Sequence, residues 1–98
     1  MLMLRRVTGE SMVPTYKPGD IIIARRFIWR VKPGQMVVVR HGGLEQVNRV
    51  TGVEAGKIFL EGDNRLHSSD SRHFGWIDSS SVVGVVVWPL RTSQRQRL

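Results

Sequence analysis

The chain contains no cysteine. That removes a disulfide framework, a thiolate nucleophile and any cysteine-ligated metal, and it suits a reducing compartment. Long apolar runs are also missing. No segment approaches the ~20 apolar residues that cross a bilayer. The opening "MLMLRR" carries its charges after too short an apolar stretch for a secretory signal. A cytoplasmic or otherwise soluble protein is expected, with no transmembrane anchor and at most a peripheral membrane contact. No window holds a sustained helical stripe, so little helix is expected. There is no glycine-rich phosphate loop and no Cys/His zinc spacing. His41, His67 and His73 are scattered as ordinary surface or loop histidines are. Neither a metal nor another cofactor is expected. Acidic residues are scarce, with 8 Asp and Glu against 15 Lys and Arg, which gives 98 residues a formal charge of +7. Such a surface favours anionic partners without saying which.

What is present is a series of short segments rich in β-branched residues: 20–29, 35–40, 45–53, 57–62 and 81–90. Turn signals separate them, at Lys17-Pro18-Gly19-Asp20, Lys32-Pro33-Gly34, His41-Gly42-Gly43, Ala55-Gly56 and Gly62-Asp63-Asn64. Short strands punctuated in this way predict an all-β fold, a small barrel or sandwich of mostly antiparallel strands. The continuous runs Ile21-Ile22-Ile23 and Val85-Val86-Val87 predict strands buried on both faces. One domain over residues 1–90 is expected, followed by a basic, flexible tail over 91–98.

Two stretches carry chemistry. "GESMVPTYKPGD", residues 9–20, sets Ser11 between Gly9 and Pro14 ahead of a second turn. A serine hydroxyl there is either a turn residue or a nucleophile, and a nucleophile needs a neighbour to take its proton. "EGDNRLHSSDSRHFG", residues 61–75, is densely polar and lies between two strand-like runs. Its bland reading is a surface loop with local Asp and Ser turns. The sharper one is a rigid loop beside a site, held by an Asp70–Arg72 pair and by side-chain bonds to the backbone.

Together the two stretches resemble the signal peptidase I family of serine endopeptidases. "GESMVPT" is similar to that family's nucleophile box, and "GDNRLHSSDSRHFG" to its C-terminal box, in the family's order. The likeness runs from about Arg6 to Pro89. The first box alone also resembles LexA-type self-cleaving repressors, which share a related β-fold; the second box favours the peptidases. The resemblance implies that Ser11 is the nucleophile and that its backbone N–H helps stabilise the oxyanion. It implies that Gly9 stands where some members place a second hydroxyl donor. Met12 would pack beneath the site, and Pro14 with Thr15 would fix the chain's exit. Ser68 matches the residue that orients the base, Asp70 and Arg72 a buried ion pair behind it, and Asp63 and Asn64 the residues that shape the loop.

The base is where this sequence departs from the family. The family's lysine lies in a Lys-Arg-Val sequence, and here that place reads Asn48-Arg49-Val50. An amide takes no proton near neutral pH, so Ser11 and Asn48 do not make a general-base pair. His41, His67 and Lys57 are the candidates to replace it. The leading expectation is an endopeptidase domain that cuts a leader or pro-segment, binding it as an added strand. In size the chain resembles the compact nickel-type superoxide dismutase maturation proteases. The alternative is an inactive peptide-binding pseudo-peptidase on the same fold. A basic nucleic-acid-binding barrel ranks third, because stacked aromatics on one strand face are not evident, and no nucleic acid is expected as partner. Phe27, Ile28 and Trp29 sit among arginines. They either close one end of the core or make a weak peripheral membrane contact.

Overall fold

The computed structural model describes residues 1–26, 30–66 and 69–91. Seven strands form one sheet: β1 (Leu2–Arg6), β2 (Ile21–Arg25), β3 (Met36–His41), β4 (Leu44–Glu54), β5 (Lys57–Glu61), β6 (Ile77–Asp78) and β7 (Val82–Trp88). Their order across the sheet is β1-β2-β7-β3-β4-β5-β6, and every neighbouring pair is antiparallel. One four-residue helix, α1 (Ser71–Phe74), and a 3-10 turn at Ser79–Ser81 are the helical elements among the described residues. The fold is all-β with little helix.

β3 lies near the middle of the sheet, and its side chains alternate between two cores, as strand geometry requires. Met36 and Val38 join Val7, Met12, Tyr16, Ile22, Ala24 and Val86 on one side. Val37 and Val39 join Val50, Ile58, Leu60 and Ile77 on the other. Each fully buried valine of this kind contributes roughly 1.5–3 kcal/mol. β3 therefore has both faces covered.

The expectation that the runs at Ile21–Ile23 and Val85–Val87 are buried on both faces is corrected. Ile22 and Val86 are buried, but Ile21 is 42% and Val87 38% exposed. β1 and β2 face the first core alone, so β2 buries Ile22 and Ala24 and leaves Ile21 and Arg25 exposed. β7 instead gives Val83 and Val86 to the first core and Val82 and Val85 to the second, before its end at Val87 and Trp88 turns exposed. Phe27, Ile28, Trp29 and residues 92–98 lie outside the described residues, and with them the aromatic cluster and most of the expected tail. Among the described residues, no helix is long and apolar enough to cross a membrane.

Two strand edges position the site. β1 pairs with β2 alone, which leaves its other edge without a backbone partner among the described residues. β5 pairs with β4 only from Arg49 to Glu54, so Leu44–Asn48 is open on that side. A bulge between Val50 and Gly52 turns β4 where the pairing begins.

Candidate active site

Ser11 sits in the loop between β1 and β2, half-buried beside the fully buried Met12. Local bonds shape this loop: the Val13 N–H donates to the Glu10 carbonyl at 3.2 Å, and the Tyr16 N–H to the Met12 carbonyl at 2.9 Å. Gly9 takes a left-handed φ of 73° with open space where a Cβ would stand. A side chain there meets backbone strain rather than a clash. Pro14 is exposed and follows a cis peptide bond. Among the described residues, no backbone carbonyl takes the Ser11 N–H.

The second polar stretch is bound directly to this loop. The Asn64 N–H donates to the Ser11 carbonyl at 2.8 Å, and Asn64 Nδ2 to the Glu10 carbonyl at 2.9 Å. Asp63 joins the elements beneath. One carboxylate oxygen accepts Arg49 Nε at 3.0 Å, and the other accepts Arg49 Nη2 at 2.9 Å and Thr15 Oγ1 at 2.5 Å. Its own N–H points to Met12 Sδ at 3.4 Å. Both charges are nearly out of water, with the Arg49 side chain 8% and that of Asp63 1% exposed. Arg49 also donates to the carbonyls of Gly34 and Arg91, at 3.0 and 3.2 Å. A buried pair survives desolvation only when its remaining donors are satisfied in this way.

Asp70 is a second buried carboxylate. It accepts the Gly62 N–H at 2.8 Å, the Arg72 N–H and Nε at 3.0 Å each, and Arg72 Nη2 at 2.7 Å. Burial pushes this carboxyl's pKa up, but the bonds from Arg72 and Gly62 outweigh burial and hold it below the ordinary carboxylate range. Arg72 keeps about a third of its side chain in solvent, so only the acid of the pair is fully enclosed. The next residue, Ser71, accepts the Leu60 N–H on its hydroxyl at 2.8 Å and ties α1 to β5. Ser68 and His67 fall outside the described residues.

A cleft of about 330 Å³ opens beside Ser11. Arg5 and Thr8 line it from the β1 side, Glu45 and Gln46 from β4, and Ser69 from the polar loop. Asn48 lies one step further in, 1% exposed, with its Nδ2 donating to Gln46 Oε1 at 3.2 Å. It meets the cleft through Gln46 rather than lining it. Two of the three substitute bases are engaged elsewhere. His41 stacks on Phe74, with ring centres 4.1 Å apart. Lys57 pairs with Asp78 at 3.5 Å at the start of β5, roughly 13 Å along the strand from Glu61. Among the described residues, no cluster of His, Asp and Glu is arranged to hold a metal ion.

Three features escaped the sequence reading: the Arg49–Asp63 pair, the Arg5–Glu45 contact across the cleft, and Gln46 on its wall. The Asp-Asn of the second stretch and the arginine after Asn48 were visible as residues. Their pairing depends on the β4–β5 register and on the bulge.

Residues 1–87 match the Peptidase S24-like family. The chain belongs to that family and, within it, to the signal-peptidase type of serine peptidase domain. Signal peptidase I of Bacillus caldolyticus is 49% identical over 51 residues, covering 49% of this chain and 28% of that enzyme. The human mitochondrial inner membrane protease subunit 1 is 30% identical over 112 aligned positions, covering 85% of this chain and 68% of the subunit. Subunit 2 of the same protease from Saccharomyces cerevisiae is 51% identical over 37 residues, covering 35% of this chain and 21% of that subunit. The chain matches only about a quarter of the length of the bacterial signal peptidases, 28% in one and 26% in the other.

Proposed function

We propose that this domain acts on a leader or pro-segment laid in extended form beside Ser11, with Ser11 as the nucleophile. The observation that carries the reading is the pair of open strand edges, β1 and Leu44–Asn48 of β4, flanking the cleft that holds the serine. An extended chain entering between them gains main-chain hydrogen bonds, which give affinity with little demand on sequence. The Ser11 hydroxyl then adds to the nearest peptide carbonyl, with the Ser11 N–H available to the oxyanion. The C–N bond breaks as the leaving amine takes the serine proton through water, and water hydrolyses the acyl-serine. Ser68 is the proposed partner of the base position, and the Asp70–Arg72 and Asp63–Arg49 pairs support the loops. The relatives are named as signal peptidases and as subunits of an inner membrane protease, and a leader or pro-segment is the corresponding substrate class.

Asn48 occupies the proposed place of the base, and a neutral amide bonded to Gln46 takes no proton from Ser11. Attack by Ser11 therefore runs without the usual base, and turnover is slow. That same observation favours a second reading, a peptide-binding domain with no turnover at all.

Hydrogen exchange followed by mass spectrometry, with and without a mixed peptide library, tests the reading. Bound peptide protects the amides of residues 2–6 and 44–48, and slow cleavage appears in the chain as it stands but not in Ser11→Ala. Protection without cleavage assigns the binding-only reading. Protection elsewhere, or cleavage that survives Ser11→Ala, overturns the proposal.

A further inference from the structure

Arg5 on β1 and Glu45 on β4 meet across the cleft. Arg5 Nε donates to one carboxylate oxygen of Glu45, and Nη2 to the other at 3.3 Å. The two residues belong to the two open strand edges, so their ion pair spans the opening through which an added strand enters. Both side chains keep solvent contact, 36% exposed for Arg5 and 25% for Glu45. An ion pair in that setting is weak and exchanges readily for another of equal geometry.

The charges around it are lopsided. Among the described residues lining the cleft, Glu45 is the one acid, while Arg5 and Arg6 both line it. Arg40 Nη2 stands 3.8 Å from the same carboxylate. An incoming lysine or arginine that sought Glu45 would meet this group of arginines. An incoming carboxylate meets net positive charge, and a fork of donors that a second carboxylate fits as well as the first.

We propose that Arg5 is a specificity-determining residue that selects peptide segments bearing an acidic side chain, with Glu45 as the internal carboxylate it exchanges for the substrate's. The inference rests on the strand-addition reading of the same cleft. Entry of an acidic peptide parts the Arg5–Glu45 pair and replaces it, so the exchange leaves the number of ion pairs unchanged. Arg40 is then at hand for the released Glu45. A neutral peptide must either thread past the pair or break it without replacement.

Fluorescence anisotropy with a labelled, extended Ala/Thr host peptide tests this, with Glu, Gln or Lys placed at each position in turn. At one position the Glu peptide binds roughly two- to fivefold tighter than its Gln counterpart, the scale of a solvent-exposed ion pair. The Lys peptide binds more weakly than either. Arg5→Gln erases the Glu preference, Arg5→Lys restores part of it, and Glu45→Gln strengthens binding of the Glu peptide. Raised salt shrinks the preference. Equal binding of Glu and Gln peptides, or a preference that survives Arg5→Gln, overturns the inference and leaves strand addition standing. Failure of every peptide to bind overturns strand addition and this inference with it.

Discussion

The Asn64 N–H donates to the carbonyl of Ser11 at 2.8 Å, and the Asn64 side chain holds the neighbouring carbonyl of Glu10 at 2.9 Å. Two loops far apart in sequence are thereby fixed to one another, and the position of Ser11 depends on the polar loop. Asn64→Ala keeps the backbone bond and loses the side-chain bonds, Nδ2 to the Glu10 carbonyl and the Leu66 N–H to Oδ1 at 3.3 Å. A cost of about 1 kcal/mol is expected in urea unfolding. Faster hydrogen exchange over residues 9–13 is expected alongside it. Unchanged exchange there would show that the Ser11 loop stands without this tie.

The Arg49–Asp63 pair is buried, so removing one partner strands the other. Asp63→Ala is expected to cost about 3–5 kcal/mol by denaturant midpoint. The double replacement Arg49→Met with Asp63→Leu leaves no uncompensated charge and is expected to cost less than Asp63→Ala alone. A double variant weaker than the single one would locate the stabilisation in the bonds of Arg49 to the Gly34 and Arg91 carbonyls.

Asp70 sets a pH dependence. Its folded pKa lies below the unfolded value, because the bonds from Arg72 and Gly62 overcome the effect of burial. A depressed carboxyl contributes stability that is fully present above the unfolded pKa of about 4 and is lost as pH falls through the folded value. Stability measured downward from about pH 5 should therefore fall more steeply in the natural chain than in Asp70→Asn. Parallel curves would contradict the assignment.

Gly84 on β7 is enclosed on the side facing β1 and β2. A Cβ there would lie 2.5 Å from the Met3 methyl and 3.1 Å from the Arg25 carbonyl oxygen. The methyl can swing aside, but the carbonyl belongs to the paired strand β2 and cannot. Gly84→Ala is expected to destabilise by roughly 1–3 kcal/mol. Met3→Ala in the same chain should relieve only the methyl contact, and thermal unfolding of the two variants distinguishes the contributions.

Much of the sheet was legible because Pro-Gly and Gly-Gly turns bracket β-branched runs, and that chemistry is local. β2, β5 and β7 fall within the segments so bracketed, and β3 and β4 overrun theirs by one residue, at His41 and at both Leu44 and Glu54. β1 was not read as a strand, since "MLMLRR" lacks turn brackets and its order comes from pairing with Ile21–Arg25. The burial of the Ile and Val runs was misjudged because a triple apolar run looks the same whether one face or both are covered. Only sheet order decides that, and it placed β3 rather than β2 between the two cores. Ser11, Asn48 and the Gly-Asp-Asn-Arg loop stood out as sequence. The Arg5–Glu45 and Arg49–Asp63 contacts depend on how the sheet brings distant strands and loops together, which no local pattern encodes.

The central proposal is that Ser11 is the nucleophile of a peptidase site whose base position is held by Asn48. Single-turnover hydrolysis of a library peptide, compared among the chain as it stands, Asn48→Lys and Asn48→Lys with Ser11→Ala, tests it most directly. A lysine in that buried place is desolvated, which lowers its pKa towards the range of a working base. The account predicts that Asn48→Lys raises the rate by roughly 10²- to 10⁴-fold and that adding Ser11→Ala abolishes the gain. A rate unchanged by Asn48→Lys, or a gain that survives the loss of Ser11, would contradict it.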